Sequence, residues 1–291
     1  MNGVVRPPTG KSVILDLLST TPRQAMPVRA LVAAGALFQI PENNVRVALA
    51  RLLAAGLVTR DERGCYRLGG GSAVGAQVAS WRSVESRVRP WKGAWLGVHT
   101  GGLSRTDRRA LARRHRALRF AGFRTLVPGL EVRPDNLVDG IDGMRSRLAA
   151  LGLEPPAPVF LIDDFDAATD ARARGLWDAA ALATTYRELR TAVERSEARL
   201  PTLPPERAMV ESFLLGGRAI HAIALDPLLP EPIVRVADRA ELVAAMRRYD
   251  RAGRRAWAAF MAGFGLPHLS AGVAHHTHTP TDGLAAAGGL A

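Results

Sequence analysis

The feature that most constrains this sequence is a change of hydrophobic period within residues 41–68, PENNVRVALARLLAAGLVTRDERGCYRL. Pro41 opens a helix there, because a residue without an N–H loses nothing in a first turn, and Gly56 follows the helix end near Ala55. At about 100° per residue, Val45, Ala48, Leu49, Leu52 and Leu53 share one stripe, whereas Asn43, Val47, Ala50 and Arg51 lie opposite, flanked by Asn44 and Arg46. One face must pack, and the other is polar and basic. The period then shortens to that of strands. Leu57 to Arg60 and Cys65 to Leu68 flank Asp61-Glu62-Arg63-Gly64, a turn in which glycine accepts a positive φ.

Upstream, Val13 to Ser19 is a dense apolar run, and a second helix opens at Pro27 with Gly35 as its expected stop. Helix, helix, turn, helix and hairpin in this order spell a winged helix-turn-helix. Asparagine can pair bidentately with adenine and arginine with guanine, so Asn43, Asn44, Arg46, Val47 and Arg51 are the candidate DNA-reading residues of the third helix. Arg60 and Arg63 on the wing, with Arg67 nearby, suit phosphate or a narrow minor groove. A helix face that is merely solvated, or a winged helix that binds protein, is the competing reading.

The charge balance adds less than it first promises. The chain has 291 residues and a net charge of +12, yet lysine occurs only at Lys11 and Lys92, so the positive charge is nearly all arginine and reads as a coding bias. Its distribution is more informative: residues 1–70 carry 9 basic and 4 acidic side chains, 71–165 carry 15 and 9, and 166–291 carry 15 and 14. With 47% hydrophobic residues the composition is that of an ordinary globular chain. No apolar run reaches the length of a bilayer span, the N-terminus lacks the apolar centre of a signal peptide, and Cys65 stands alone, so a cytoplasmic location is expected.

Beyond the wing, Gly69-Gly70-Gly71-Ser72 marks a linker, and Ser80 to Arg89 a linking helix. A strand at Ala94 to Thr100 precedes a helix capped by Ser104 and rich in arginine from Arg105 to Arg119. Strands at Phe123 to Val127 and Leu130 to Arg133, a helix at Leu137 to Leu151 and a strand at Val159 to Ile162 follow. That order is the ferredoxin-like split βαβ unit. The arginine helix reads first as a solvated face, with a second polyanion contact as the alternative, and His115 reads as a packed helical histidine. The acidic run 163–166 reads as a helix cap with exposed acids rather than a Mg²⁺ site. A helix over Asp170 to Arg199, one over Glu206 to Ala224 and one over Asp238 to Phe264 complete an α+β chain, with Asp226-Pro227-Leu228-Leu229-Pro230 as a rigid turn. The expected division is a winged helix at 1–70, a linker at 71–90, a ferredoxin-like domain at 91–166, a helical domain at 167–266 and a tail at 267–291 expected to be disordered. The histidines of that tail, His275, His276 and His278, make no structured ligand set, so neither a metal nor a cofactor is expected.

Several stretches, in order and spacing, resemble the PaaX family of transcriptional repressors of phenylacetate degradation: PENNVRVALARLLAAGLV and CYRL, WKGAWLGV, LRFAGFRTLVPGLEVRPDNL, LGL with PVFL, LWDAAALATTYREL, and DPLLPE. After DPLLPE the chain departs from the family pattern, reading PIVRVADRAEL in place of a Trp-Pro-Gly-like turn. The resemblance implies a homodimer that binds an inverted-repeat operator on double-stranded DNA and is released by an aryl- or acyl-CoA thioester. Trp95 and Trp177 are then candidates to line an apolar cleft, and Arg108 and Arg109 to hold CoA phosphates. A nuclease on the central fold is the enzymatic alternative. The strand that would supply its metal-holding carboxylate, Ala94 to Thr100, has none, and no Walker loop, nucleophile elbow or GxGxxG follows a strand, so no enzyme is expected.

Overall fold

The computed structural model describes residues 7–20, 25–69 and 80–266. Among these the chain is a mixed α+β protein with nine α-helices and two small antiparallel sheets. The glycine run at 70–72 and the tail 267–291 lie outside the described residues. The chain divides into two compact units: residues 1–82, 191–222 and 244–291, and residues 83–190 and 223–243.

In the first unit, α1 (Gly10–Thr20), α2 (Val28–Leu37) and α3 (Glu42–Ala54) pack beside a sheet of β1 (Met26–Pro27), β2 (Val58–Arg60) and β3 (Cys65–Leu68) in the order β1-β3-β2. The third helix ends as the sequence predicts. Gly56 adopts φ +67°, the amide of Leu57 donates to the Leu52 carbonyl, and that of Gly56 donates to Leu53, a Schellman closure. Val45, Leu49 and Leu52 are buried with Val13, Ile14 and Leu31, but Leu53, expected in the same stripe, is 41% exposed. The stripe is therefore narrower than the sequence pattern suggests.

Gly35 also departs from expectation. It does not stop α2, which runs through it to Leu37; a β-carbon on Gly35 would stand 2.6 Å from Val45 Cγ2, so glycine here permits a close crossing of α2 and α3. The core of these helices is not closed on itself. Met209 of α8 (Pro205–Ala224) and Trp257 and Met261 of α9 (Val236–Gly263) join it, and the Trp257 indole N–H donates to the Met209 carbonyl at 3.1 Å.

The second unit contains β4 (Trp95–His99), α4 (Arg108–Phe120), β5 (Arg124–Val127), β6 (Leu130–Pro134), α5 (Gly140–Ala150) and β7 (Val159–Ile162), with its sheet in the order β5-β6-β4-β7 and every pair antiparallel. Asp107, not Ser104, is the N-cap of α4. Its carboxylate accepts from the amides of Arg109 and Ala110, and the bond from Ala110 leads in lowering its pKa. Arg114 corrects the reading of α4 as a wholly solvated basic face: it is 3% exposed and bonds to Glu154 through Nε at 3.2 Å and a terminal nitrogen at 2.6 Å. His115, expected to pack, is exposed. The single helix expected over Asp170 to Arg199 is two, α6 (Ala167–Arg174) and α7 (Ala179–Arg199), because the chain turns at Gly175 to Asp178. Asp166 caps α6 by accepting from the Thr169 amide at 2.9 Å.

A buried polar seam ties β6 to the segment 226–229. The Arg133 guanidinium, 1% exposed, donates to the carbonyls of Ala121, Pro134 and Pro227 and to Asn136 Oδ1, while Asn136 Nδ2 donates to the Leu228 carbonyl at 2.6 Å. Burial pushes the Arg133 pKa down to about 9. Asp226 accepts from the Tyr186 hydroxyl and from the Leu228 amide, and Arg239 stands 3.5 Å away.

A methyl on Gly35 gains helix propensity of about 1 kcal/mol but must displace the stiff γ-methyl of Val45, a strain of about 1–3 kcal/mol. Gly35→Ala should therefore lower stability by about 1–2 kcal/mol in urea unfolding. An unchanged or higher midpoint would contradict the close crossing.

Candidate nucleic-acid interface

Burial of Val45, Leu49 and Leu52 fixes the rotation of α3 and hence what it presents outward. Asn43, Asn44, Arg46, Val47 and Arg51 are all exposed, with Val47 at 40%. The structure thus brings all five helix candidates onto one solvent-facing side of α3. Arg46 is oriented by Glu42, one turn earlier, whose Oε1 accepts from its Nε at 2.8 Å and pairs with a terminal nitrogen at 2.6 Å. Such exposed i,i+4 pairs are worth about 0.3–0.5 kcal/mol, so a phosphate or a base edge can take the guanidinium over. Asn44, Val47 and Arg51 also line a groove of about 560 Å³ together with Thr9, Gly10 and Lys11 at the start of α1. Lys11 is a contributor that the motif reading missed, and its charge within the basic 1–70 segment was the available signal.

The hairpin β2–β3 carries the other candidates. Asp61 builds its turn: one carboxylate oxygen accepts from the amides of Arg63 at 3.1 Å and Cys65 at 2.8 Å, and Gly64 closes it at φ +76°. Arg60 and Arg63 are exposed, as is Arg67, and the Arg60 guanidinium lies 5.9 Å from the Tyr66 ring centroid. β1, a strand of two residues missed in the sequence, adds Met26 and Pro27 to the far side of β3 and so anchors the hairpin.

The candidates for a small ligand fall in the second unit and are brought together only in part. Trp95 and Trp177 are buried and stacked, with ring centroids 6.2 Å apart, and the Trp95 indole donates to Asp170 at 3.1 Å. Arg108 and Arg109 are exposed in the first turn of α4, and among the described residues no hydrogen bond or cation–ring contact joins them to either tryptophan. Among the described residues no group of three or more His, Cys, Asp or Glu side chains could hold a metal ion, and no helix is long and apolar enough to cross a membrane.

Residues 9–71, which span these helices and the hairpin, match the family model of PaaX-like proteins. The match supports a PaaX-family protein. No curated protein is significantly similar to the chain. Among solved structures, the uncharacterized protein Rv0674 from Mycobacterium tuberculosis aligns at 25% identity with a TM-score of 0.60, covering 87% of this chain and 99% of that one. The PaaX-like segment thus contains every exposed candidate of α3 and of the hairpin.

Removing the Asp61 carboxylate leaves the amides of Arg63 and Cys65 without their acceptor. Asp61→Ala should cost about 1 kcal/mol of local stability and speed hydrogen exchange at the Arg63 and Cys65 amides. Exchange as slow as in the native chain would refute this account of the turn.

Proposed function

We propose that the chain is a ligand-responsive transcriptional regulator, a repressor in its simplest form, that binds double-stranded DNA through a winged helix-turn-helix formed by residues 1–70. The observation that carries the reading is the outward row of Asn43, Asn44, Arg46 and Arg51 on α3, with Arg60 and Arg63 on the neighbouring hairpin, inside a segment matching PaaX-like proteins. In this reading α3 lies in the major groove, with its asparagines and arginines at base edges, and the hairpin is the wing that touches phosphate. The chain works as a homodimer on an inverted repeat, because one such module makes too few contacts to select a site in a genome. The order β5-β6-β4-β7 supports taking the second sheet as ferredoxin-like, with no catalytic step assigned to it. An aryl- or acyl-CoA thioester, by likeness to phenylacetate-operon repressors, is the proposed effector.

DNA selected from random fragments by the purified chain supplies the operator, and fluorescence anisotropy on it tests the assignments. Arg46→Ala and Arg51→Ala should each cost about 1–3 kcal/mol and relax preference at one base pair. Arg63→Ala should weaken all sequences alike and reduce the salt slope by about 1. Unchanged affinity and preference in both α3 variants would sink the groove assignment.

Release has its own arithmetic. To loosen the operator 100-fold, the thioester must bind the free chain about 2.7 kcal/mol more tightly than the DNA-bound chain. A panel of CoA thioesters should lower operator affinity where the matching free acids do not. Equal action by the acids, or none by any thioester, would overturn the effector class.

A further inference from the structure

Helix α8 packs Ala208, Met209 and Ser212 inward and leaves a shallow groove of about 550 Å³ along its other side. One row of that side, at intervals of four residues, reads Glu206, Val210, Leu214, Arg218. Side chains four apart form a continuous ridge on a helix surface, and such ridges pack into the grooves of a facing helix. This ridge is acid, apolar, apolar, base. Reversed end to end it is its own complement: an antiparallel copy about a two-fold axis midway between Val210 and Leu214 sets Glu206 against the copy's Arg218 twice, and each apolar residue against the other.

Charge supports a second copy rather than another occupant. Arg207 and Glu211, on the adjoining row, add one charge of each sign, so the patch is neutral on a chain of net charge +12. Two such chains repel in general and can approach most closely where their facing charges cancel. Glu206, Arg207 and Arg218 have no ion-pair partner among the described residues, whereas Glu211 is held by Arg199 at 2.7 Å. The exposed charges are thus available to a facing copy, and the contact is isologous, as closed dimers require.

We propose that this face of α8 is the two-fold contact between two copies of the chain. The proposal deepens the dimeric reading above by naming its contact, but it draws on α8 alone and not on DNA recognition.

A charge-swap series on the full chain, followed by sedimentation equilibrium, tests it. Arg218→Glu and Glu206→Arg should each raise the dimer dissociation constant at least about 10-fold, since like charges then face each other twice. The combined Glu206→Arg, Arg218→Glu chain should return to within about threefold of native, because the pairs re-form with reversed polarity. Matching circular dichroism and urea midpoints exclude unfolding as the cause. A native chain that stays monomeric leaves the groove to a different partner and overturns the proposal, as do single reversals without effect or a double variant no better than the singles. Operator binding measured on the same samples separates the two readings. A swap-sensitive dimer that binds no DNA overturns only the regulator, and DNA binding with a swap-insensitive dimer overturns only the α8 contact.

Discussion

The close crossing of α2 and α3 at Gly35 and Val45 is the contact from which the outward face of α3 follows. A β-carbon on Gly35 would stand 2.6 Å from Val45 Cγ2, so the two helices meet where only a glycine leaves room. With Val45 held there, the helical period carries Leu49 and Leu52 into the same core and turns Asn43, Asn44, Arg46 and Arg51 to solvent. The hairpin is set by a second local device, the Asp61 carboxylate, and by pairing with β1. The core beneath them extends to Met209, Trp257 and Met261 from the C-terminal half of the sequence, so substitutions far from residue 70 are expected to be felt in the reading helix.

Arginine in this chain does two different jobs, and the net charge of +12 conceals the difference. Arg114, Arg133, Arg239 and Arg254 are buried, each bonded to a carboxylate or to backbone carbonyls; they act as structural donors and contribute little to the outer field. Arg51, Arg60 and Arg63 are exposed on α3 and the hairpin, where a polyanion can reach them. A count of charges cannot separate these groups, but burial does.

What can be read from the sequence is what short-range pattern encodes. The shift from a helical to an alternating period across residues 41–68, with glycine at 56 and 64, places α3 and the hairpin within a residue or so and selects an outward row that is indeed exposed. Length hides β1, because Met26–Pro27 is too short to show alternation. Gly35 misleads because a glycine that ends a helix and one that lets another helix approach look alike without the partner. Arg114 looks solvated in the sequence because its acid, Glu154, lies 40 residues away. The seam of Arg133 and Asn136 with residues 227 and 228 has no local signal at all, since its partners lie more than 90 residues along the chain. Lys11 escapes notice for the same reason: only the folded chain brings the start of α1 beside Asn44 and Arg51.

The central claim is that the exposed row of α3 sits against DNA bases, and Val47, in the middle of that row and 40% exposed, is the place to ask. In a chain whose lone cysteine is removed by Cys65→Ser, a DNA-cleaving iron chelate attached at Val47→Cys reports directly on what lies beside α3. On selected operator DNA the account predicts cleavage confined to a few base pairs around the centre of each half-site, and none from the same chelate at Leu161→Cys, exposed on β7 of the second unit. Full operator binding with no cleavage from position 47 would contradict it.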